Sequence, residues 1–192
     1  MAGTIDPTDP YVTPVPDPRL AKVHKGSLKT AAGPADIRLE LCDAPTTLPG
    51  APGYTPPNGL EGSIMLIDSE IISFATINIG QPALQGVTRG KFGTKPAAHA
   101  AGAAVYQLIL GCSGDVFLPD PFSDLTDEIA TNMIRVYKGA GFEYLYLDGL
   151  DCHDALLPTA PGVAMGILHQ AVWRAMVAAG AEGLVEGSGG GG

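Results

Sequence analysis

Three carboxylates close short apolar runs in the second half of the sequence. Asp120 follows Val116-Phe117-Leu118, Asp148 follows Phe142-Glu143-Tyr144-Leu145-Tyr146-Leu147, and Glu186 follows Gly183-Leu184-Val185. One acidic residue at the end of a strand is common by chance, whereas three in succession are less so. Carboxyl groups gathered at neighbouring strand ends can divide a reaction between a proton donor and a nucleophile or base. Asp151 and Asp154 follow in the loop after the second run, with His153 between them. His153 could ligate a metal there, but a solvated acidic loop is the plainer reading, and no cofactor is inferred. Earlier in the chain, Arg89 and His99 stand in a glycine-rich stretch. The guanidinium fork of Arg89 suits loop carbonyls or a carboxylate such as Glu70, and His99 suits a buried loop carbonyl. A sugar or anion site built on Arg89 and His99 is the sharper reading, and loop bracing is the favoured one.

The elements that would carry these residues fall into two kinds. From 35 to 110 the pattern is β. Ile37, Leu39 and Leu41 alternate with charged residues, the period of a half-buried strand. Ser63–Ile67 and Glu70–Ile77 flank the polar pair Asp68-Ser69, a hairpin signal. Leu84–Val87 and Ala104–Leu110 predict two further strands. From Gly114 the period changes. Ser123 offers an N-cap ahead of Asp124, Asp127 and Glu128. Leu125, Ile129, Met133 and Tyr137, with Val136 beside them, form the apolar face of a helix closed by Gly139 and Gly141. A second helix places Ala164, Leu168, Val172 and Met176 on one stripe, with Trp173 flanking, and ends at Gly180. The order strand, helix, strand, helix, strand predicts a parallel sheet with right-handed crossovers, whose ligands gather at the carboxyl ends of the strands.

Two segments resemble known families. "DSEII", "LQGVTRGKFGT" and "AAHAAGAAV", covering roughly 60–108, look like a small β module of phage tail and baseplate proteins that also precedes the catalytic domain of some glycoside hydrolase-like proteins. The order R-G-x-x-G-T … H-x-x-G carries that likeness, because Gly90 and Gly93 permit a tight turn beside Arg89. "GFEYLYLDGLD" and "GLVEGS", within 113–188, resemble (β/α)-barrel glycoside hydrolase-like proteins, in which an aspartate and a glutamate end successive strands. The resemblance implies catalytic roles for Asp148 and Glu186, with Asp151 as a neighbour, and a carbohydrate partner. Glycoside cleavage uses two such carboxyl groups, one a proton donor and one a nucleophile or base. Tyr144 and Tyr146 are expected to pack in the sheet rather than stack on sugar.

Composition narrows the partners. The 192 residues carry a formal net charge of −9, with 45% hydrophobic and 16% charged residues, a globular balance with no electrostatic footprint for nucleic acid or anionic lipid. No apolar run reaches the roughly 20 residues needed to cross a bilayer. The first ten residues are polar and acidic and do not read as a signal peptide. An extracellular or cell-surface location would follow from the hydrolase resemblance alone. Cys42, Cys112 and Cys152 are odd in number and far apart, so neither a disulfide framework nor a zinc knuckle is indicated.

The sequence therefore predicts a proline-rich arm or linker over 1–34, with an edge strand as its alternative, and a small β module over 35–112. A β module followed by α/β is the expected fold class, the α/β part being an incomplete parallel (β/α) barrel of about three strands and two helices over 113–188, before a glycine tail at 189–192. A full barrel needs roughly 250 residues and eight strands, so the expected function is an N-terminal fragment of a glycoside hydrolase-like protein, inactive as this chain alone. Its alternative is a non-catalytic structural or carbohydrate-binding module of a phage-tail-like protein. Oligomeric state is left open.

Overall fold

The computed structural model describes residues 15–43, 63–110, 117–147 and 162–187. Among them the chain divides into two compact units, one holding Lys22–Ile109 and the other Arg19–Ala21 with the residues from Leu110 onward.

The first unit is all β and antiparallel. Its larger sheet has the order β1-β7-β3-β4, from β1 (Lys22–Ser27), β3 (Ile64–Ile67), β4 (Glu70–Ser73) and β7 (Ala104–Leu108). The smaller has the order β2-β6-β5, from β2 (Arg38–Glu40), β5 (Thr76–Asn78) and β6 (Ala83–Gln85). The expected hairpin forms with a two-residue turn, Ile67 facing Glu70 and Asp68 in the left-handed region at φ 52°. The run Glu70–Ile77, expected as one strand, breaks at Phe74-Ala75, where the chain leaves the larger sheet and enters the smaller. Leu39 and Leu84 from one sheet meet Met65, Ile67, Ile72 and Val105 from the other in a single apolar core. Ile37, assigned by alternation to the buried face, lies before β2 and is 67% exposed. β1 lies inside the proline-rich stretch 1–34 and pairs with β7 along the edge of the larger sheet. No proline falls between Pro18 and Pro34, which leaves Lys22–Ser27 free to donate ladder hydrogen bonds.

The second unit contains both α-helices found among the described residues, α1 (Leu125–Ala140) and α2 (Val163–Ala179), and the strands β8 (Tyr144–Leu147) and β9 (Leu184–Gly187), which pair in parallel. Ala130, Ile134 and Tyr137 of α1 pack with Ala171, Val172 and Met176 of α2 and with Leu147. Leu145 and Val185 complete this layer on the helix-covered face of the strands. Gly141 and Gly180, both left-handed, cap the two helices at their C-termini. No helix among the described residues is long and apolar enough to cross a membrane.

The expectation of an incomplete parallel barrel is corrected by this topology. Among the described residues, seven of the nine strands lie in antiparallel sheets, and parallel pairing is confined to β8 and β9. Of the strand expected at 116–118, the described Phe117 and Leu118 do not join them. Phe117 bridges Leu110 and Pro119 bridges Leu20, both antiparallel, and Pro119 has no N–H to extend a ladder. The fold is mixed α/β, and alternation of strand and helix in the sequence yields one β-α-β unit rather than the start of a barrel.

Gly183 sits where α1 meets the entry to β9. Its φ is 146°, and an added Cβ would lie 1.8 Å from Tyr137 Oη and 2.8 Å from the Glu143 carbonyl oxygen. Tyr137 is buried and donates from Oη to the Glu182 carbonyl at 3.1 Å, so it cannot yield. Gly183→Ala should destabilise this unit by about 3 kcal/mol through overpacking and backbone strain. Thermal unfolding followed by helical circular dichroism reads the change, since both helices belong to this unit.

Candidate functional site

Among the described residues, the most highly organised polar group is in the β unit, around a carboxylate with no exposure to solvent. Glu70 opens β4 directly after the Asp68-Ser69 turn, and its side chain is fully buried. Arg89 donates to it twice, Nε to Oε1 at 2.8 Å and Nη2 to Oε2 at 2.7 Å. The Gly90 amide donates to Oε1 at 2.9 Å and the Ala97 amide to Oε2 at 2.9 Å. His99 Nε2 lies 2.9 Å from Oε2. One carboxylate thus gathers five contacts from four residues, all in the segment from Arg89 to His99.

Arg89 is used as completely. Besides Glu70, it donates from Nη1 to the Gly33 carbonyl at 2.5 Å and the Asp36 carbonyl at 3.4 Å, and from Nη2 to the Ala97 carbonyl at 2.6 Å. His99 Nδ1 lies 2.7 Å from Asp68 Oδ2, so the ring meets two carboxylates instead of the loop carbonyl expected of it. Its backbone pairs with Ala32. Thr94 finishes the loop: its hydroxyl donates to the Lys91 carbonyl at 2.8 Å and accepts from the Ile71 amide at 3.0 Å. The sequence order R-G-x-x-G-T … H-x-x-G is therefore the wiring of one loop. Gly90 has φ 62°, and a Cβ there would lie 2.7 Å from both Pro96 Cδ and the Thr94 carbonyl oxygen. Only glycine fits.

Burial by itself would raise the Glu70 carboxyl, but the Arg89 guanidinium, the Ala97 and Gly90 amides and His99 outweigh it and hold the group at about 2. Ionised Glu70 is the form to which these donors are matched.

The residues expected to be catalytic are placed differently. Asp148 and Asp151 lie outside the described residues, as do His153 and Asp154. Glu186 is on β9 and exposed, and accepts a 2.7 Å hydrogen bond from the Tyr144 hydroxyl. That bond, together with the charge of Glu186, pushes the Tyr144 hydroxyl up. Tyr144, Tyr146 and Leu184 share this face and are 50%, 48% and 63% exposed, so the tyrosines do not pack in the sheet as expected. The helices cover only the opposite face. Neither Arg135 nor Lys138 pairs with Glu186 among the described residues; Lys138 donates to the Ala179 carbonyl. Asp120 is a turn residue, its carboxylate accepting from the Phe122 amide at 3.0 Å. At the α1 N-terminus, Arg19 bridges Asp124 and Glu128 at 2.9 Å each. No group of three or more histidine, cysteine or acidic side chains among the described residues is poised to hold a metal.

The depth of the Glu70 cluster could not be read from the sequence. Arg89, His99 and Glu70 were each visible as candidates, but Asp68 looked like an ordinary turn residue. No protein-family model matches the chain, and no curated protein matches it.

Two outcomes follow. Glu70 is held at about 2 against an ordinary 4.5, so its contribution is whole above the ordinary value and is lost as pH falls through about 2. The β unit should lose on the order of 3 kcal/mol over that window, and Glu70→Gln should flatten the acid limb in denaturant titrations. Arg89→Lys keeps the charge but loses the fork. It should cost about 2–4 kcal/mol, read as lost hydrogen-exchange protection of the β3, β4 and β7 amides.

Proposed function

We propose that this chain is a non-catalytic structural module of a phage-tail-like protein. One observation carries the reading: Arg89, Gly90, Thr94 and His99, the residues behind the likeness to phage tail and baseplate modules, all turn inward on Glu70 or brace its loop. A ligand site would keep donors or acceptors free for the ligand, whereas here the Arg89 fork and the Glu70 oxygens are consumed internally. Such a cross-braced β unit has the character of a rigid assembly part. Glycoside hydrolysis is the second reading, favoured by the exposed Glu186 carboxylate at the end of a parallel strand with the Tyr144 hydroxyl beside it.

The two readings separate experimentally. A tagged chain expressed in its own host should co-sediment with tail-like particles at a fixed stoichiometry. The purified chain should give no turnover above blank on a panel of chromogenic glycosides and polysaccharides. Turnover by the wild type that is lost in Glu186→Gln would overturn the structural reading in favour of hydrolysis.

A further inference from the structure

Both ring nitrogens of His99 face carboxylates, Nδ1 at 2.7 Å from Asp68 and Nε2 at 2.9 Å from Glu70. Neutral imidazole has one N–H and one lone pair, so it satisfies one of these contacts and opposes the other. Imidazolium alone donates to both. The two carboxylates differ in their access to water. The Glu70 side chain is wholly buried and the His99 ring is 1% exposed, whereas Asp68 is 60% exposed at the tip of the β3–β4 turn.

The charged surroundings of the ring are few and specific. Asp68 comes from the turn, Glu70 from β4, and Arg89 from the segment after β6, where it binds the same Glu70 oxygen that faces His99. The segment paired with His99, running from Ala32 to Asp36, turns its Gly33 and Asp36 carbonyls to Arg89, and the Asp36 carboxylate accepts from the Gly33 amide. Of the loop's other cations, Lys95 is exposed and Lys91 lies over the Phe92 ring. Two carboxylates and two cations therefore balance when His99 is charged. Removing its second proton leaves the quartet with a net negative charge.

We propose that His99 is a pH-set latch on the β3–β4 turn. Protonated, it ties Asp68 to the loop that carries Ala97 and His99. On losing one proton it keeps Nε2–H on Glu70, because a lone pair against a dry carboxylate has no water to relieve it. The Nδ1 lone pair then faces Asp68, which swings into solvent at little cost. The latch is closed while the ring carries both protons and opens when one is lost. Opening frees one carboxylate and loosens the Asp68-Ser69 turn, while the Arg89–Glu70 clamp stays in place.

Nitrogen-detected NMR of His99 in the intact chain, from about pH 5 to about pH 9, tests this directly. Two N–H groups are expected at the acidic end and Nε2–H alone at the basic end. Amide exchange at the β3–β4 turn, corrected for its intrinsic pH dependence, should rise about tenfold across the same transition. That step should be absent in Asp68→Asn, which keeps the shape of the turn. A single neutral tautomer throughout, Nδ1–H at the basic end, or turn exchange that shows no step in the wild type would each overturn the latch.

Discussion

A carboxylate buried without a partner would not remain charged; it would take up a proton or open the fold. Glu70 stays ionised in a site closed to water because four residues make five contacts to it, and this requirement governs the path of the chain from Arg89 to His99. Gly90 must be left-handed so that its amide and the Arg89 fork can reach the same side chain. Ala97 must present its amide to Glu70 and its carbonyl to Arg89. Through Gly33 and Asp36, the same guanidinium also holds the segment leading into β2. One ionic centre thereby ties the turn of one sheet to the approach to the other, beside the apolar core that the two sheets share.

The second unit depends on a different kind of interaction. Its helices bury one face of the β8–β9 pair through alanine, isoleucine, valine and methionine contacts, with Tyr137 and Gly183 closing the corner. Ion pairs at its surface, such as Arg174–Asp127, contribute little. Its tyrosines stand on an open face, and Trp173 and Val177 on α2 are 64% and 66% exposed. The two units thus divide the properties of the chain: a rigid, charge-centred β unit and an apolar α/β unit with exposed aromatic surface.

The residues behind the two resemblances differ in how tightly they constrain the structure around them. The β likeness rested on glycines, an arginine and a histidine whose conformational and hydrogen-bonding demands are specific, and those residues do occupy one loop. The barrel likeness rested on strand-end acids and on alternating apolar runs, patterns that recur in many arrangements. Asp120 illustrates the weakness. It follows an apolar run, yet that run makes single antiparallel bridges, and its carboxylate closes a local turn.

Much of the local structure was determined by the sequence alone. The helix C-termini followed from Gly141 and Gly180, although Gly139 lies inside α1 and Asp124 rather than Ser123 is its N-cap; the β3–β4 hairpin followed from two β-branched runs about Asp68-Ser69, and the Arg89–Glu70 pair from the geometry of a guanidinium. The rotation of α1 was less legible. Its period admits Ile129 and Met133 or Ala130 and Ile134 as the buried pair, and packing against α2 selects the latter. Strand direction, the break at Phe74-Ala75 and the exposure of Tyr144 and Tyr146 were decided only in the tertiary structure. A strand's period of two tells which residues share a face, but not which neighbour covers it or in which direction the partner runs. For the same reason, four groups up to 29 residues away from Glu70 in sequence could be recognised as one site only after the sheets had brought them together.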